Sequence, residues 1–167
     1  MTEVERGPLG DVARAADGTY TVRFERRSSH PPERVWAALT DPDEARHWFV
    51  EMTMEPGPGG RLHFDFEEQG EANGEVLTWE PPHLLEYSWT EAGATSRVRW
   101  ELTAEGGGTL LTLTHTGLVS NPHEYGAGWH DFLDRLGAYL VGDEMPPLDA
   151  AFEALLEQYR EHVEQRV

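Results

Sequence analysis

The chain has 167 residues, the size of one domain of roughly 100–200 residues, and at that length roughly 70% of the unfolded surface is buried on folding. Hydrophobic residues make up 38% of it, beside 17 glycines, an ordinary globular share that excludes whole-chain disorder. There is no cysteine, no apolar run near the roughly 18 residues of a membrane helix, and no signal-peptide stretch at the start, so the expectation is a soluble, cytoplasmic protein.

Charge narrows the partners. Thirty-one acidic residues face 13 basic ones, all arginine, for a net charge of −18. Nucleic-acid binding needs a basic face that displaces counterions from phosphates, and anionic membranes repel an acidic surface. Neither a nucleic acid nor a membrane is expected as partner.

Residues 1–10 show no periodicity and read as a flexible arm. Asp17-Gly18 is a turn signal between the short run Val12–Arg14 and an alternation of Tyr20, Val22 and Phe24 with Thr21, Arg23 and Glu25, a strand with one buried face. His30–Leu39 predicts a short helix whose prolines sit at its start, with Val35, Trp36 and Leu39 as its apolar stripe. Asp41-Pro42-Asp43-Glu44 predicts a second, opened by a capping box and carrying Ala45, Trp48 and Phe49. Pro56–Gly60 is a turn.

Five more strands follow by alternation. Their inward residues are Leu62, Phe64 and Phe66; the run Val76–Trp79; Leu85, Tyr87 and Trp89; Val98, Trp100 and Leu102; and Leu111, Leu113 and His115. Gly70–Gly74 and Gly106–Gly108 are read as turns. Asn121 and Pro122 then open a long helix with Trp129, Phe132, Leu133, Leu136 and Leu140 on one face, weakened near its start by Gly126 and Gly128 and stopped by Gly142. After Pro146-Pro147, a last helix lines up Leu148, Phe152, Leu155, Tyr159 and Val163. The predicted fold is α+β, a helix-grip: a curved antiparallel sheet of about six or seven strands wraps a long C-terminal helix. Two short helices follow the first strand, and an extra terminal helix ends the chain. Residues 11–142 form the domain and 143–167 a helical extension packed on it or a dimer contact.

Four segments carry a family resemblance: FERRSSHPPERVWAALTDPDEARHWF at Phe24–Phe49, GEVLTWEPPHLLEYSW at Gly74–Trp89, GGTLLTLTHTGL at Gly107–Leu118 and GWHDFLDRL at Gly128–Leu136. The chain resembles the SRPBCC (START-like, helix-grip) superfamily over residues 18–142, and within it the bacterial activator-of-heat-shock-protein-90-ATPase-like branch. The resemblance implies a hydrophobic ligand cavity between sheet and long helix. Trp48, Phe64, Phe66, Tyr87, Trp89, Trp100, Leu113, His115, Trp129, Phe132, Leu133 and Leu136 are its candidate lining residues, unless they form a filled core. Tyr87, His115 and the Trp89 and Trp100 indoles supply the candidate polar groups.

Three functions are open. The first is binding of a small hydrophobic molecule, a lipid or an aromatic, without chemistry. The second, ranked below it, is a stress-response role as an interaction domain for a chaperone ATPase. The third is a polyketide cyclase or aromatase, with Tyr87, His115 and Glu75 as suspects. No catalytic residue is assigned, and no cofactor or metal is expected. The eight histidines (His30, His47, His63, His83, His115, His123, His130 and His162) show no close ligand spacing. His130 is expected to pair with Asp134 one helical turn on, as a structural residue.

Overall fold

The computed structural model describes residues 9–142 and 152–166. Eight strands form one antiparallel sheet: β1 (Asp11–Arg14), β2 (Tyr20–Ser28), β3 (Glu51–Met54), β4 (Arg61–Asp65), β5 (Glu71–Glu80), β6 (Leu84–Glu91), β7 (Ala94–Glu105) and β8 (Gly108–Leu118). Four helices accompany them: α1 (Pro32–Thr40), α2 (Pro42–Trp48), α3 (Pro122–Val141) and α4 (Phe152–Arg166). From β3 to β8 every strand pairs with the next, and the first hairpin docks on the last strand, giving the order β1-β2-β8-β7-β6-β5-β4-β3. The two short helices follow the second strand and carry the chain from one end of the sheet to the other.

One strand more is present than the six or seven predicted. It is β3, whose four residues are too few to display a period, although Met52 is buried and pairs with Phe64. The glycine-flanked stretch Gly70–Gly74 is not a turn throughout. A single 3-10 turn at Glu67–Gln69 and Gly70 make the reversal, and Ala72, Asn73 and Gly74 already belong to β5. Gly74 is there for closeness: a Cβ on it would lie 1.8 Å from the carbonyl oxygen of Ser88 on β6. Further along β5, a register shift falls between Val76, opposite Tyr87, and Thr78, opposite Glu86. Leu77 is the extra residue, and Trp79 therefore turns inward to meet Trp36 of α1 edge-on at 5.1 Å.

Capping differs from the sequence expectation at two helices. Asp41 does cap α2, accepting from the Asp43 N–H at 2.9 Å, but Glu44 does not complete a capping box. Its carboxylate instead takes Arg34 at 2.6 Å and the Tyr139 hydroxyl at 2.9 Å, tying α1, α2 and α3 together. Asn121, expected to cap α3 through its side chain, has a left-handed backbone (φ 54°) and makes no such bond. Gly142 ends α3 in the left-handed conformation expected of it.

α3 is buried on two sides. Trp129, Leu133, Leu136 and Leu140 face the sheet, as the period required, while His130, Asp131 and Asp134 are also inaccessible. Their cover includes α4. Leu155 and Tyr159 of its predicted stripe are buried; Leu148 and the side chains of Phe152 and Val163 lie outside the described residues. Tyr159 lies flat against Gly126, where a Cβ would stand 2.6 Å from its ring. The glycine that weakens the helix on paper is thus the seat of the C-terminal helix.

The polar groups at this contact form a linked chain. The Gly10 N–H donates to the Tyr159 hydroxyl at 2.7 Å, and that hydroxyl lies 2.8 Å from His130 Nδ1. His130 Nε2 faces Asp134 at 3.4 Å, the pairing expected one helical turn apart, and Asp134 takes Arg26 of β2 at 2.7 Å. Burying two large side chains contributes about 1.5–3 kcal/mol each. Truncation after Gly142 is therefore expected to cost at least about 3 kcal/mol, read as an earlier thermal transition. A shortened chain that melts unchanged, while the full chain alone is dimeric, would make α4 an interface between copies.

Candidate functional site

The predicted lining residues converge between the sheet and α3. Phe64, Tyr87, Trp89, Trp100, Leu113 and His115 come from β4, β6, β7 and β8, and Trp129, Leu133 and Leu136 from α3; all are buried. Trp48, at the end of α2, closes one side and donates its indole N–H to the Ala38 carbonyl at 2.9 Å. Phe66 and Phe132 are half-buried at the margin, Phe66 lying one residue beyond the end of β4.

The interior is packed ring to ring. Trp129 stands edge-on to Trp100 at 5.6 Å and meets Trp89 at 5.7 Å, while Trp89 stacks on Phe64 at 5.1 Å. Trp48 completes the set, edge-on to Trp100 at 6.4 Å. At its centre is a residue that the sequence places on the apolar side of the second short helix but not among the lining candidates. Phe49 touches Trp48, Phe64, Phe66, Trp129 and Phe132, closest to Phe132 at 4.6 Å. Its neighbour Trp48 was the signal that could have found it.

Two polar pairs lie within this apolar volume. The Trp100 indole donates to the Tyr87 hydroxyl at 3.0 Å, and the Trp129 indole to His115 Nδ1 at 3.0 Å. Because Nδ1 accepts, the ring proton of His115 is on Nε2, which faces the Ser96 hydroxyl at 2.7 Å; Ser96 in turn reaches the Trp89 carbonyl at 3.3 Å. Burial pushes His115 down to about 3 and raises the Tyr87 phenol, so both are neutral at pH 7.

A second polar cluster stands at the rim. The β6–β7 hairpin turns at Ala92 and Gly93, both with positive φ (51° and 82°), and so presents Glu91. Glu91 accepts from the Trp89 indole at 3.1 Å and from the Tyr125 hydroxyl, in the first turns of α3, at 2.5 Å. Tyr125 also stands edge-on to His115 at 5.1 Å. Neither residue was found from sequence, since 34 positions separate them and no local pattern links them.

The three residues suspected of acid–base work do not meet. Glu75 is exposed on β5, on the opposite phase to buried Val76, whereas Tyr87 and His115 are inside and engaged with indoles. Among the described residues, no three His, Asp or Glu side chains gather as a metal site, and no helix is long and apolar enough to cross a membrane.

An antiparallel sheet folded over one long helix, with an aromatic interior between them, defines the helix-grip class. Within it, the chain belongs to the family described as activator of Hsp90 ATPase homolog 1-like protein, matched over residues 29–141. Solved structures agree. The crystal structure of CalU16 from Micromonospora echinospora is 28% identical with a TM-score of 0.74, covering 97% of this chain and 96% of that one. The solution structure of the protein encoded by gene BPP1335 of Bordetella parapertussis is 31% identical, with a TM-score of 0.70 over 100% and 96% of the two chains. DynU16, described as a protein in the dynemicin biosynthetic locus, is 28% identical with a TM-score of 0.69, covering 76% of this chain and 49% of its own. No curated protein matches the sequence.

Proposed function

We propose that the domain binds a small hydrophobic molecule, with aromatic character, between the sheet and α3, and that it does so without chemistry. The observation that carries this reading is the composition of the interior. Four tryptophans (Trp48, Trp89, Trp100 and Trp129) fill a space that aliphatic side chains could fill more cheaply, and three of their indole N–H groups need buried acceptors to be there at all. Rings that already stack on one another can stack on a flat guest. The likeness to a protein of a biosynthetic locus, that of dynemicin, supports a role with small molecules.

The test is native mass spectrometry of the protein as purified, followed by titration with naphthalene and with a fluorescent fatty acid. A guest should quench tryptophan emission and raise the melting temperature, by RT ln(1 + [L]/Kd) in free energy. If no adduct is seen and neither probe changes emission or melting, the reading is wrong. The family description favours a second reading, an interaction with a chaperone ATPase; co-purification with such an ATPase, in the absence of any bound small molecule, would favour it instead.

A further inference from the structure

The rim cluster holds a group that resembles a ligand more than a core residue. The Tyr125 ring is half-buried, edge-on to His115, with its hydroxyl on the Glu91 carboxylate that also receives the Trp89 indole. The geometry points to a phenol-binding slot at this rim, filled here by the protein's own Tyr125, that accepts a fused-ring phenol or arylamine whose O–H or N–H donates a hydrogen bond to Glu91 once Tyr125 swings out. The inference rests on the proposed binding function and specifies which guests it selects.

Three features support it. First, Tyr125 can leave without moving the helix. Gly126 next to it is pressed against the Tyr159 ring, which pins the backbone, so release is a side-chain rotation of a half-exposed residue. Second, what remains behind is a complete recognition set. It comprises a carboxylate oriented by an indole N–H 3.1 Å away, the Trp89 and His115 rings 5.5 Å apart, and the continuous aromatic interior beyond Trp129. Third, the sign of charge discriminates. A carboxylate at the rim of a chain of net charge −18 welcomes a hydroxyl or amino donor and repels a guest that carries its own carboxylate. His115 offers no opposing charge, being neutral with its ring nitrogens engaged by Trp129 and Ser96.

The experiment is equilibrium dialysis of the full chain against 2-naphthol, naphthalene and 2-naphthoate. Wild type is compared with Tyr125→Ala, Tyr125→Phe and the double variant Tyr125→Ala/Glu91→Ala. Removing the internal occupant should tighten 2-naphthol binding by about tenfold, the equivalent of one hydrogen bond to a charged acceptor. Tyr125→Phe, which keeps the ring but not the bond to Glu91, should give a smaller gain. In the double variant the advantage of 2-naphthol over naphthalene should vanish, and 2-naphthoate should bind worst wherever Glu91 is present. If Tyr125→Ala does not fold, Tyr125→Phe decides. The slot is overturned if folded Tyr125 variants bind 2-naphthol no tighter than wild type, or if 2-naphthoate matches it. Should all three probes bind every variant equally, only the slot falls; should none bind any protein, the binding function falls with it.

Discussion

Replacing Trp100 with alanine is expected to lower the stability of the fold by about 3–5 kcal/mol, the range for removing a large aromatic from a packed core. Trp100 is 2% exposed and lies edge-on to both Trp48 and Trp129. Its indole supplies the hydrogen bond that Tyr87's buried hydroxyl accepts. The truncation therefore opens a void and strips a partner from a polar group at once. For a chain of this length the loss is a drop in melting temperature of roughly 6–20 °C. Denaturant unfolding should show a lower midpoint with an unchanged slope. A loss below about 1 kcal/mol would mean that the space beside Trp100 is open in solution, and the interior a cavity rather than a packed core.

Acid should unfold the protein partly through His115. Burial lowers its folded-state pKa from 6.5 to about 3, so as pH falls the unfolded chain takes up this proton first. The neutral ring's contribution is complete above pH 6.5 and is lost as pH falls toward 3, with a slope of up to about 1.4 kcal/mol per pH unit. The hydrogen bonding of the ring acts in the same direction as its burial. Nδ1 is occupied by the Trp129 N–H, and a protonated ring would place two donors face to face. Urea midpoints measured at pH 7 and pH 4 should converge between wild type and His115→Gln, because the variant, weaker at neutral pH, has no such proton to gain. Equal losses in the two proteins would show that His115 does not titrate in this way. Carboxylate titration is common to both and cancels in the comparison.

Where one side of an element faced the core, the sequence revealed it. The alternation from Tyr20 to Phe24 and the spacing from Trp129 to Leu140 each located the buried face, because the hydrophobic effect writes its period directly into residue type. Where two elements conspired, it did not. Trp79 points inward only because Leu77 is an extra residue in the strand, and a bulge cancels the alternation that would reveal it. The buried polar side of α3 was visible as far as the His130–Asp134 spacing reached. Tyr159, which completes that contact, read simply as part of an apolar stripe, because its partners lie 29 and 149 positions away. The candidate site divides in the same way. Its aromatic lining follows from strand phase, whereas the Glu91–Tyr125 bond depends on where a hairpin tip and a helix start happen to meet.

The position of the first hairpin sets the order in which this chain can fold. Every strand pairing of the β3–β8 meander joins neighbours in sequence and can form by successive short closures. β2, by contrast, pairs only with β1 and β8, and its nearest-in-sequence rung on β8 joins Ser28 to Thr109, 81 residues apart. Closing a loop of that length costs roughly 4 kcal/mol of chain entropy before any rung repays it. A ribosome that has released β2 must wait for most of the chain before that strand has its second partner. Folding should accordingly be slow for the size of the domain, with the N-terminal hairpin docking last.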